Sequence, residues 1–198
     1  MTQILASDLT KLLMEIRSCE ICIGSIPEPR PVLRASSTAK ILVIGQAPGT
    51  KVHASGVPWD DASGKRLRNW MGIDDELFYD ESIIAIVPMG FCYPGKGNSG
   101  DLPPRTECAP AWHNKVLELL PSISCTLLIG QYAQNYYLQS KHKTLTDRVR
   151  HWKDFAPRYF VLPHPSPRNQ IWLKRNNWFE QETVPALQES IKSILKSV

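Results

Sequence analysis

The sequence lacks several features that would assign it to a class at once. Its 198 residues contain no apolar stretch long enough to cross a bilayer. The N-terminal segment lacks a basic start followed by an apolar core, so we do not expect a secretory signal. Internal repeats and low-complexity tails are also missing. These absences predict a cytoplasmic protein with one domain that spans residues 1–198.

Neither charge nor cysteine dominates the composition. The formal net charge is only +4, which permits a nucleic-acid partner without requiring one. Hydrophobic residues make up 42% of the chain, which is enough for a packed core without disulfides. Because cytoplasmic thiols stay reduced, the five cysteines are expected to be metal ligands or buried thiols.

Four short apolar runs predict the strands of a sheet. They are Ile41–Ile44, Ile83–Val87, Cys125–Ile129 and Tyr159–Leu162. Each run is continuous rather than alternating, as in strands that are buried on both faces of a parallel sheet. Segments with helical periodicity separate the runs, and this order predicts an α/β fold with helices on both faces.

Helical spacing of apolar residues predicts the covering helices. They lie at the start of the chain, at 63–71, 110–120 and 131–138, and from about Trp178 onward. Pro185 should kink the last helix or mark its restart, because proline lacks the backbone N–H. The stretch 92–104 is rich in glycine and proline, which predicts a loop.

Four cysteines have the spacing of a metal site. Cys19 and Cys22 form a C-x2-C pair, and fifteen residues separate Cys92 from Cys108. Four thiolates can complete a tetrahedral zinc site or hold an iron–sulfur cluster, and the count of cysteines does not separate the two. Unligated cysteines are the alternative, because spacing alone is a weak signal. Cys125 lies inside an apolar strand and is predicted to be a core residue.

The turn after the first strand carries the first candidate chemistry. Its sequence, GQAPG at 45–49, can bring backbone N–H groups close to a phosphate or a base, although a plain tight turn would look the same. Downstream, Trp59 stands beside Asp60 and Asp61 just ahead of a helix. An Asp in that position is also an ordinary N-cap, so either carboxylate could be structural.

The turn after the fourth strand is the second candidate. Its sequence is HPSPRN at 164–169, in which two prolines hold the backbone and present the neighbouring side chains. His164 could instead be an ordinary hydrogen-bonded residue at a strand end. Basic and aromatic residues that suit a phosphate backbone and exposed bases follow: Arg168, Trp172, Lys174, Arg175 and Trp178. A solvated basic face would explain the charges equally well.

Together and in this order, these segments resemble the uracil-DNA glycosylase superfamily over nearly the whole chain. GQAPG looks like the first motif of that superfamily, and HPSPRN looks like the second in the form typical of its single-strand-selective branch. The cysteine spacing is similar to that of the fourth and fifth families, which carry a 4Fe–4S cluster. The segment GVPWDDASG at 56–64 is similar to their GRPF-type segment, whose aromatic ring stacks on a flipped base.

The resemblance implies a three-layer α/β/α fold with a central four-stranded parallel sheet and hydrolysis of the N-glycosidic bond of an extruded base. In this picture Trp59 stacks on the base. Asp61 is catalytic because it positions the attacking water or offsets charge on an oxocarbenium-like sugar. His164 is catalytic because it donates a hydrogen bond to the departing base.

The resemblance also implies the binding residues and partners. The base-binding set is Gln46, Ala47, Trp59 and Phe91. The DNA-binding set, which wedges into the duplex, is Ser166, Pro167, Arg168 and Asn169. Cys19, Cys22, Cys92 and Cys108 are the implied ligands of a 4Fe–4S cluster, with zinc as the competing occupant. The implied partner is DNA that contains a deaminated base, and the protein is expected to be a monomer.

Two departures from the superfamily pattern limit what the resemblance implies. The best-known uracil-specific members carry an Asn near the end of the second strand, whereas residues 87–91 here are VPMGF. The most studied branch carries a water-activating Asp where this chain has Ala47. Another residue must take the role of that Asp, and we expect it to be Asp61 rather than Asp60. Uracil and other deaminated bases therefore both stay open. So do a lesion-binding module without turnover and an unrelated metal-stabilised α/β protein.

Overall fold

The computed structural model describes residues 2–98 and 100–196. The strands are β1 (Ile41–Ile44), β2 (Ile84–Ile86), β3 (Lys96–Gly97), β4 (Gly100–Asp101), β5 (Cys125–Ile129) and β6 (Tyr159–Leu162). The helices are α1 (Thr2–Arg17), α2 (Thr50–Ser55), α3 (Ala62–Met71), α4 (Asp75–Tyr79), α5 (Cys108–Glu118), α6 (Gly130–Tyr137), α7 (Leu145–Arg150), α8 (Gln170–Arg175) and α9 (Val184–Leu195). Short 3₁₀ turns occupy Trp152–Asp154 and Pro167–Asn169.

Four parallel strands form the central sheet, in the order β2-β1-β5-β6. In the register, Ile41 of β1 lies opposite Ile84 of β2 on one side and Cys125 of β5 on the other. Strands β1, β5 and β6 have the predicted bounds, and β2 is one residue shorter at each end. The predicted four-stranded parallel sheet is confirmed.

The sheet separates two hydrophobic cores. Because neighbouring side chains of a strand point to opposite faces, Leu42 and Ile44 pack into one core while Ile41 and Val43 pack into the other. Residues of α1, α5 and α6 belong to the first core, and residues of α3 and α9 belong to the second. Helices therefore cover both faces, which explains why the strand sequences are apolar at every position.

One local prediction needs correction, and the predicted restart of the last helix at Pro185 is confirmed. The predicted loop at 92–104 contains a small antiparallel hairpin, β3–β4, in which Lys96 pairs with Asp101; position 99 lies outside the described residues. The C-terminal helix is interrupted by a π-turn at Phe179–Thr183 before α9 begins. Pro185 sits in the first turn of α9, where its missing N–H costs no helical hydrogen bond.

The parallel sheet brings the two candidate turns to one edge. The turn 45–49 follows the carboxyl end of β1, and the segment 163–169 follows the carboxyl end of β6. Carboxyl ends of parallel strands meet at the same edge of an open sheet, which is where such folds bind ligands. In the part of the chain that the structure describes, no helix is both long and apolar enough to span a membrane.

Candidate active site

A cavity of about 390 Å³, here called the main cavity, lies at the carboxyl edge of the sheet. Its walls come from the turn after β1, the start of α3, the β3–β4 hairpin and the segment after β6. The lining residues discussed below are Gln46, Ala47, Trp59, Asp61, Asp101 and His164. The structure thus brings Trp59, Asp61 and His164 together, although more than a hundred residues separate the last two in the sequence.

Trp59 is held in an unusual conformation above the first turn. Its backbone φ is +59°, in the left-handed region that a bulky side chain seldom adopts. A Cβ on Gly45 would lie 2.7 Å from Cζ2 of the indole, and one on Gly64 would lie 1.7 Å from the Trp59 carbonyl oxygen. The indole lies 5.7 Å from the His164 ring, at an angle of 31°. Glycine at both positions is therefore needed for Trp59 to face the cavity.

Asp61 is both a helix cap and a cavity residue. It is the N-cap of α3, and its Oδ1 accepts a hydrogen bond from the Gly64 N–H at 2.8 Å. This bond fixes the carboxylate at the cavity wall. Asp60 is exposed and is not one of the residues that line the main cavity. The geometry thus separates two carboxylates that are adjacent in the sequence.

His164 stands opposite Asp61 at the end of β6. Burial lowers the pKa of His164 below its usual value, although the carboxylates of Asp61 and Asp101 act in the opposite direction. The imidazole is therefore neutral at neutral pH, with one N–H to donate. The side chain of Asn169 donates from Nδ2 to the His164 carbonyl oxygen at 2.7 Å, which fixes the backbone that carries the ring.

Hydrogen bonds hold the loop after β6 in place. The Ser166 hydroxyl accepts a hydrogen bond from the Arg168 N–H at 3.2 Å, and Arg66 of α3 donates from Nη1 to the Ser166 carbonyl at 3.1 Å. Ser166, Arg168 and Asn169 line the main cavity. Pro167 and Arg168 are exposed. The predicted DNA-binding residues thus form the rim of the cavity beside His164.

Two tryptophans follow this loop and pack partly against the protein. Trp172 and Trp178 pack edge-on against the buried Phe179. The Trp172 indole N–H also donates to the Thr146 hydroxyl at 2.9 Å, and the Arg150 guanidinium covers the Trp178 ring. Both rings are therefore partly buried and packed against the second core.

The predicted base-binding residues divide into two groups. Gln46, Ala47 and Trp59 line the main cavity, but the Gln46 amide already donates to the Leu102 carbonyl at 3.2 Å. Phe91 lies elsewhere, so its predicted role is corrected. Its side chain is buried and stacks on His113 at 5.6 Å, where it borders a second cavity around the cysteines.

Sequence reasoning missed one residue that lines the main cavity and one that contacts a lining residue. Asp101 contributes a second carboxylate from the β3–β4 hairpin, and no periodicity marks that position. His113 is fully buried in α5, and its Nε2 lies 3.0 Å from the carbonyl oxygen of Pro88, a lining residue. Because that oxygen only accepts, Nε2 carries the proton and Nδ1 accepts from the Tyr137 hydroxyl. Burial lowers the pKa of His113 to about 4.

The four predicted ligand cysteines line the second, smaller cavity, here called the cysteine cavity: Cys19, Cys22, Cys92 and Cys108. Burial, together with a smaller effect of the neighbouring cysteines, raises the pKa of the Cys92 thiol to about 11 and that of Cys108 to about 12. Within residues 2–98 and 100–196, no three His, Cys, Asp or Glu side chains are arranged as a metal site. Cys125 is buried in β5, as predicted.

Two N–H donors at the cysteine cavity have no acceptor among the described residues. They are Nε of Arg105 and Nε1 of Trp112, and both are shielded from solvent. A buried donor without an acceptor costs free energy, so each is expected to meet an acceptor in the working protein. Sulfur atoms at the centre of this cavity would be such acceptors.

The main cavity offers three complementary groups around one space. An indole can stack on a planar ring, a fixed carboxylate can orient water or face positive charge, and a neutral imidazole can donate to an oxygen. Comparison with known protein families gives a match to the family model of the uracil DNA glycosylase superfamily over residues 33–188. The matched region contains β1, α3, β6 and every residue of the main cavity named above. The chain therefore belongs to the uracil DNA glycosylase superfamily.

Proposed function

We propose that the protein is a monofunctional DNA glycosylase that hydrolyses the N-glycosidic bond of uracil or a related deaminated base. Members of its superfamily are DNA glycosylases. The single observation that carries the proposal is that the Trp59 indole, the Asp61 carboxylate and the His164 imidazole line one cavity. A base extruded from DNA would enter this cavity, at a cost that is smallest for a mismatched or damaged site.

In the proposed reaction the bond between the base and C1′ of the sugar breaks, and the base leaves with the bonding electron pair. A water oxygen forms the new bond to C1′, and its proton passes to Asp61. The same carboxylate offsets the positive charge that develops on the sugar before water attacks. Its hydrogen bond from the Gly64 N–H supports this role, because it holds the carboxylate in one orientation.

His164 and Trp59 act on the departing base in this proposal. As the bond breaks, negative charge gathers on a carbonyl oxygen of the base, and the N–H of the neutral His164 imidazole stabilises it. Burial favours the neutral form of His164, so no proton needs to be taken up first. Trp59 stacks on the base, and Ser166 to Arg168 fill the gap left in the DNA.

We further propose that Cys19, Cys22, Cys92 and Cys108 hold a 4Fe–4S cluster, as in the iron–sulfur branches of the superfamily, with zinc as the competing occupant. The shared cavity of the four thiols supports this, as do the donors on Arg105 and Trp112. A cluster there would tie the segment after α1 to the start of α5. The reaction at the main cavity needs no chemistry from it.

A DNA-lesion binding module without turnover is the alternative, and one observation favours it. Residues 87–91 lack the Asn that reads the base in uracil-specific relatives, and Pro88 alone of these five lines the main cavity. Such a module would bind damaged DNA through the same cavity and release nothing. In either case we propose a cytoplasmic monomer that binds DNA.

Release of free base from uracil-containing oligonucleotides tests the proposal. We expect the purified protein to release uracil or another deaminated base from single- or double-stranded DNA. Asp61→Asn should lower kcat by about 100-fold or more, because the amide still caps α3 but cannot accept a proton. His164→Ala should also lower kcat by about 100-fold, because the donor to the leaving base is lost.

Asp60→Asn is the matched control, since it removes the adjacent carboxylate that does not line the cavity. It should keep base release close to that of the parent protein. Binding to uracil-containing DNA without release of any deaminated base would replace the glycosylase proposal with the lesion-binding alternative. Equal losses in Asp60→Asn and Asp61→Asn would show that the assignment of the carboxylate is wrong.

A further inference from the structure

Asp101 is a carboxylate at the main cavity that the proposed reaction does not use. It ends β4, the second strand of the hairpin between Cys92 and Cys108. Its side chain lines the same cavity as Asp61 and His164 and influences the imidazole of His164 electrostatically. The hairpin therefore carries a charged group into a site that is otherwise built by the turns after β1 and β6.

The hairpin is fixed in place from two sides. The N–H of Leu102, next to Asp101, donates to the Gly95 carbonyl at 2.9 Å, and the Leu102 carbonyl accepts from the Gln46 side chain at 3.2 Å. The first contact closes the hairpin, and the second ties it to the turn after β1. Asp101 is thus presented by a braced backbone rather than by a free loop.

Two glycines let the hairpin approach its neighbours closely. A Cβ on Gly49 would lie 3.3 Å from Oδ2 of Asp101, so the carboxylate lies directly against the turn after β1. A Cβ on Gly100 would lie 2.8 Å from Nη1 of Arg168, and the backbone φ of Gly100 is +152°. The hairpin is therefore wedged between the two turns that form the cavity.

The two carboxylates of the main cavity differ in how they are engaged. Asp61 accepts a hydrogen bond from the backbone of α3, whereas the Asp101 side chain accepts none and forms no ion pair with any described residue. A carboxylate at a cavity wall with its acceptor capacity unused suits a ligand that brings a donor. The ligand proposed above has such a donor on its hydrogen-bonding edge.

We propose that Asp101 is a specificity-determining residue that accepts a hydrogen bond from the ring N–H of the extruded base. This inference rests on the proposed function. Deamination replaces an amino group with a carbonyl, and the adjacent ring nitrogen changes from an acceptor into an N–H donor. A carboxylate attracts that N–H and repels the lone pair of the parent base. Asp101 would thus replace the acceptor half of the Asn that residues 87–91 lack.

The substrate class follows from this chemistry. The site would accept bases that carry an N–H beside a carbonyl, among them uracil, hypoxanthine and xanthine, and would reject cytosine and adenine at that contact. Because the carboxylate cannot donate, the carbonyl groups of the base must be bound by other donors, including His164. Thymine and guanine also carry an N–H beside a carbonyl, so this contact distinguishes deaminated bases from cytosine and adenine, their parent bases with a ring-nitrogen lone pair.

A substrate that lacks the N–H tests the proposal. The experiment compares oligonucleotides that carry uracil or 3-methyluracil, in which a methyl group replaces the hydrogen of the ring N–H. Two quantities are measured in parallel for the parent chain, Asp101→Ala and Asp101→Asn. Fluorescence anisotropy gives the affinity for each oligonucleotide, and single-turnover kinetics give the rate of base release. We expect the parent chain to favour uracil by about tenfold to hundredfold, as for a hydrogen bond to a charged group. Asp101→Ala should lose that preference, and Asp101→Asn should keep part of it through its amide oxygen.

Lys96→Ala is the control, because it alters the residue paired with Asp101 in the hairpin and leaves the carboxylate in place. Its preference for uracil over 3-methyluracil should match that of the parent chain. An unchanged preference in Asp101→Ala, or a parent chain that does not distinguish the two bases, would overturn the inference. If the parent chain prefers uracil in binding but releases no base, and Asp101→Ala loses the preference, the inference stands and the glycosylase proposal fails.

Discussion

Among single residues, Asp61 shows how one side chain can combine a structural and a chemical task. Its hydrogen bond from the Gly64 N–H caps α3, and its carboxylate also lines the main cavity. An Asp N-cap is worth about 1 kcal/mol, so replacement by Ala would confound stability with activity. Asn retains the cap, which makes it the informative substitution.

His113 gives a prediction about acid stability. An unfolded His has a pKa of about 6.5, whereas burial lowers the pKa of folded His113 to about 4. Between these values the unfolded state binds more protons, so the free energy of unfolding should fall as the pH drops through this window. By pH 4 the loss attributable to His113 should reach about 3 kcal/mol.

The measurement is chemical denaturation of the parent chain and of His113→Gln at neutral pH and near pH 4. Gln keeps a side-chain donor and acceptor but does not titrate, so its loss of stability over this range should be smaller. Tyr137→Phe removes the partner hydroxyl without adding a titrating group, and it should retain the steep pH dependence. Equal slopes in the parent chain and His113→Gln would contradict the assignment.

Between elements, the contact of α3 with the loop after β6 joins two parts of the site. The Arg66 side chain spans this junction and donates to the Ser166 carbonyl at 3.1 Å. Arg66→Ala should loosen residues 163–169 and lower kcat for base release by about tenfold, because the position of His164 depends on that loop. Hydrogen exchange of the loop amides in the DNA-free protein should rise at the same time.

Lys65→Ala is the control for this prediction, because Lys65 is the adjacent exposed cation on α3. It tests whether any loss reflects weaker attraction to DNA rather than a looser loop. If Arg66→Ala leaves the hydrogen exchange of residues 163–169 unchanged, the hydrogen bond from Arg66 to Ser166 does not stabilise this loop, even if activity falls.

For the whole molecule, the cysteine cavity joins the segment after α1 to the start of α5. If the proposed cluster binds there, anaerobically purified protein should be brown and contain about four iron atoms per chain. Cys22→Ser should lose the iron and melt at a lower temperature, because binding of a structural metal contributes to the folding free energy.

Cys125→Ala is the matched control, since Cys125 is buried in β5 away from the cysteine cavity. It should keep the iron content, although its core packing changes. If the protein contains one zinc ion per chain instead of iron, the proposed cysteine ligands stand and the proposed metal is wrong. A parent chain with neither metal would remove the cluster from the proposal and leave the main cavity unaffected.

The sequence by itself determined the sheet and most of the candidate site. Continuous apolar runs located all four central strands, because a strand buried on both faces cannot alternate with polar residues. Short sequence segments likewise located Trp59, Asp61 and His164, since each lies in a turn just after a strand or before a helix. Such patterns can be recognised from the sequence because they depend only on residues that are close together along the chain.

Only the tertiary structure decided which residues meet. Asp101 reaches the main cavity through a hairpin, and His113 of α5 contacts the carbonyl oxygen of the lining residue Pro88, although no local signal in the sequence marks either position. Phe91 looked available in the sequence, but its ring is buried and stacks on His113. The physical reason is that periodicity reports the exposure of a face, whereas contacts between distant segments depend on how whole elements pack together.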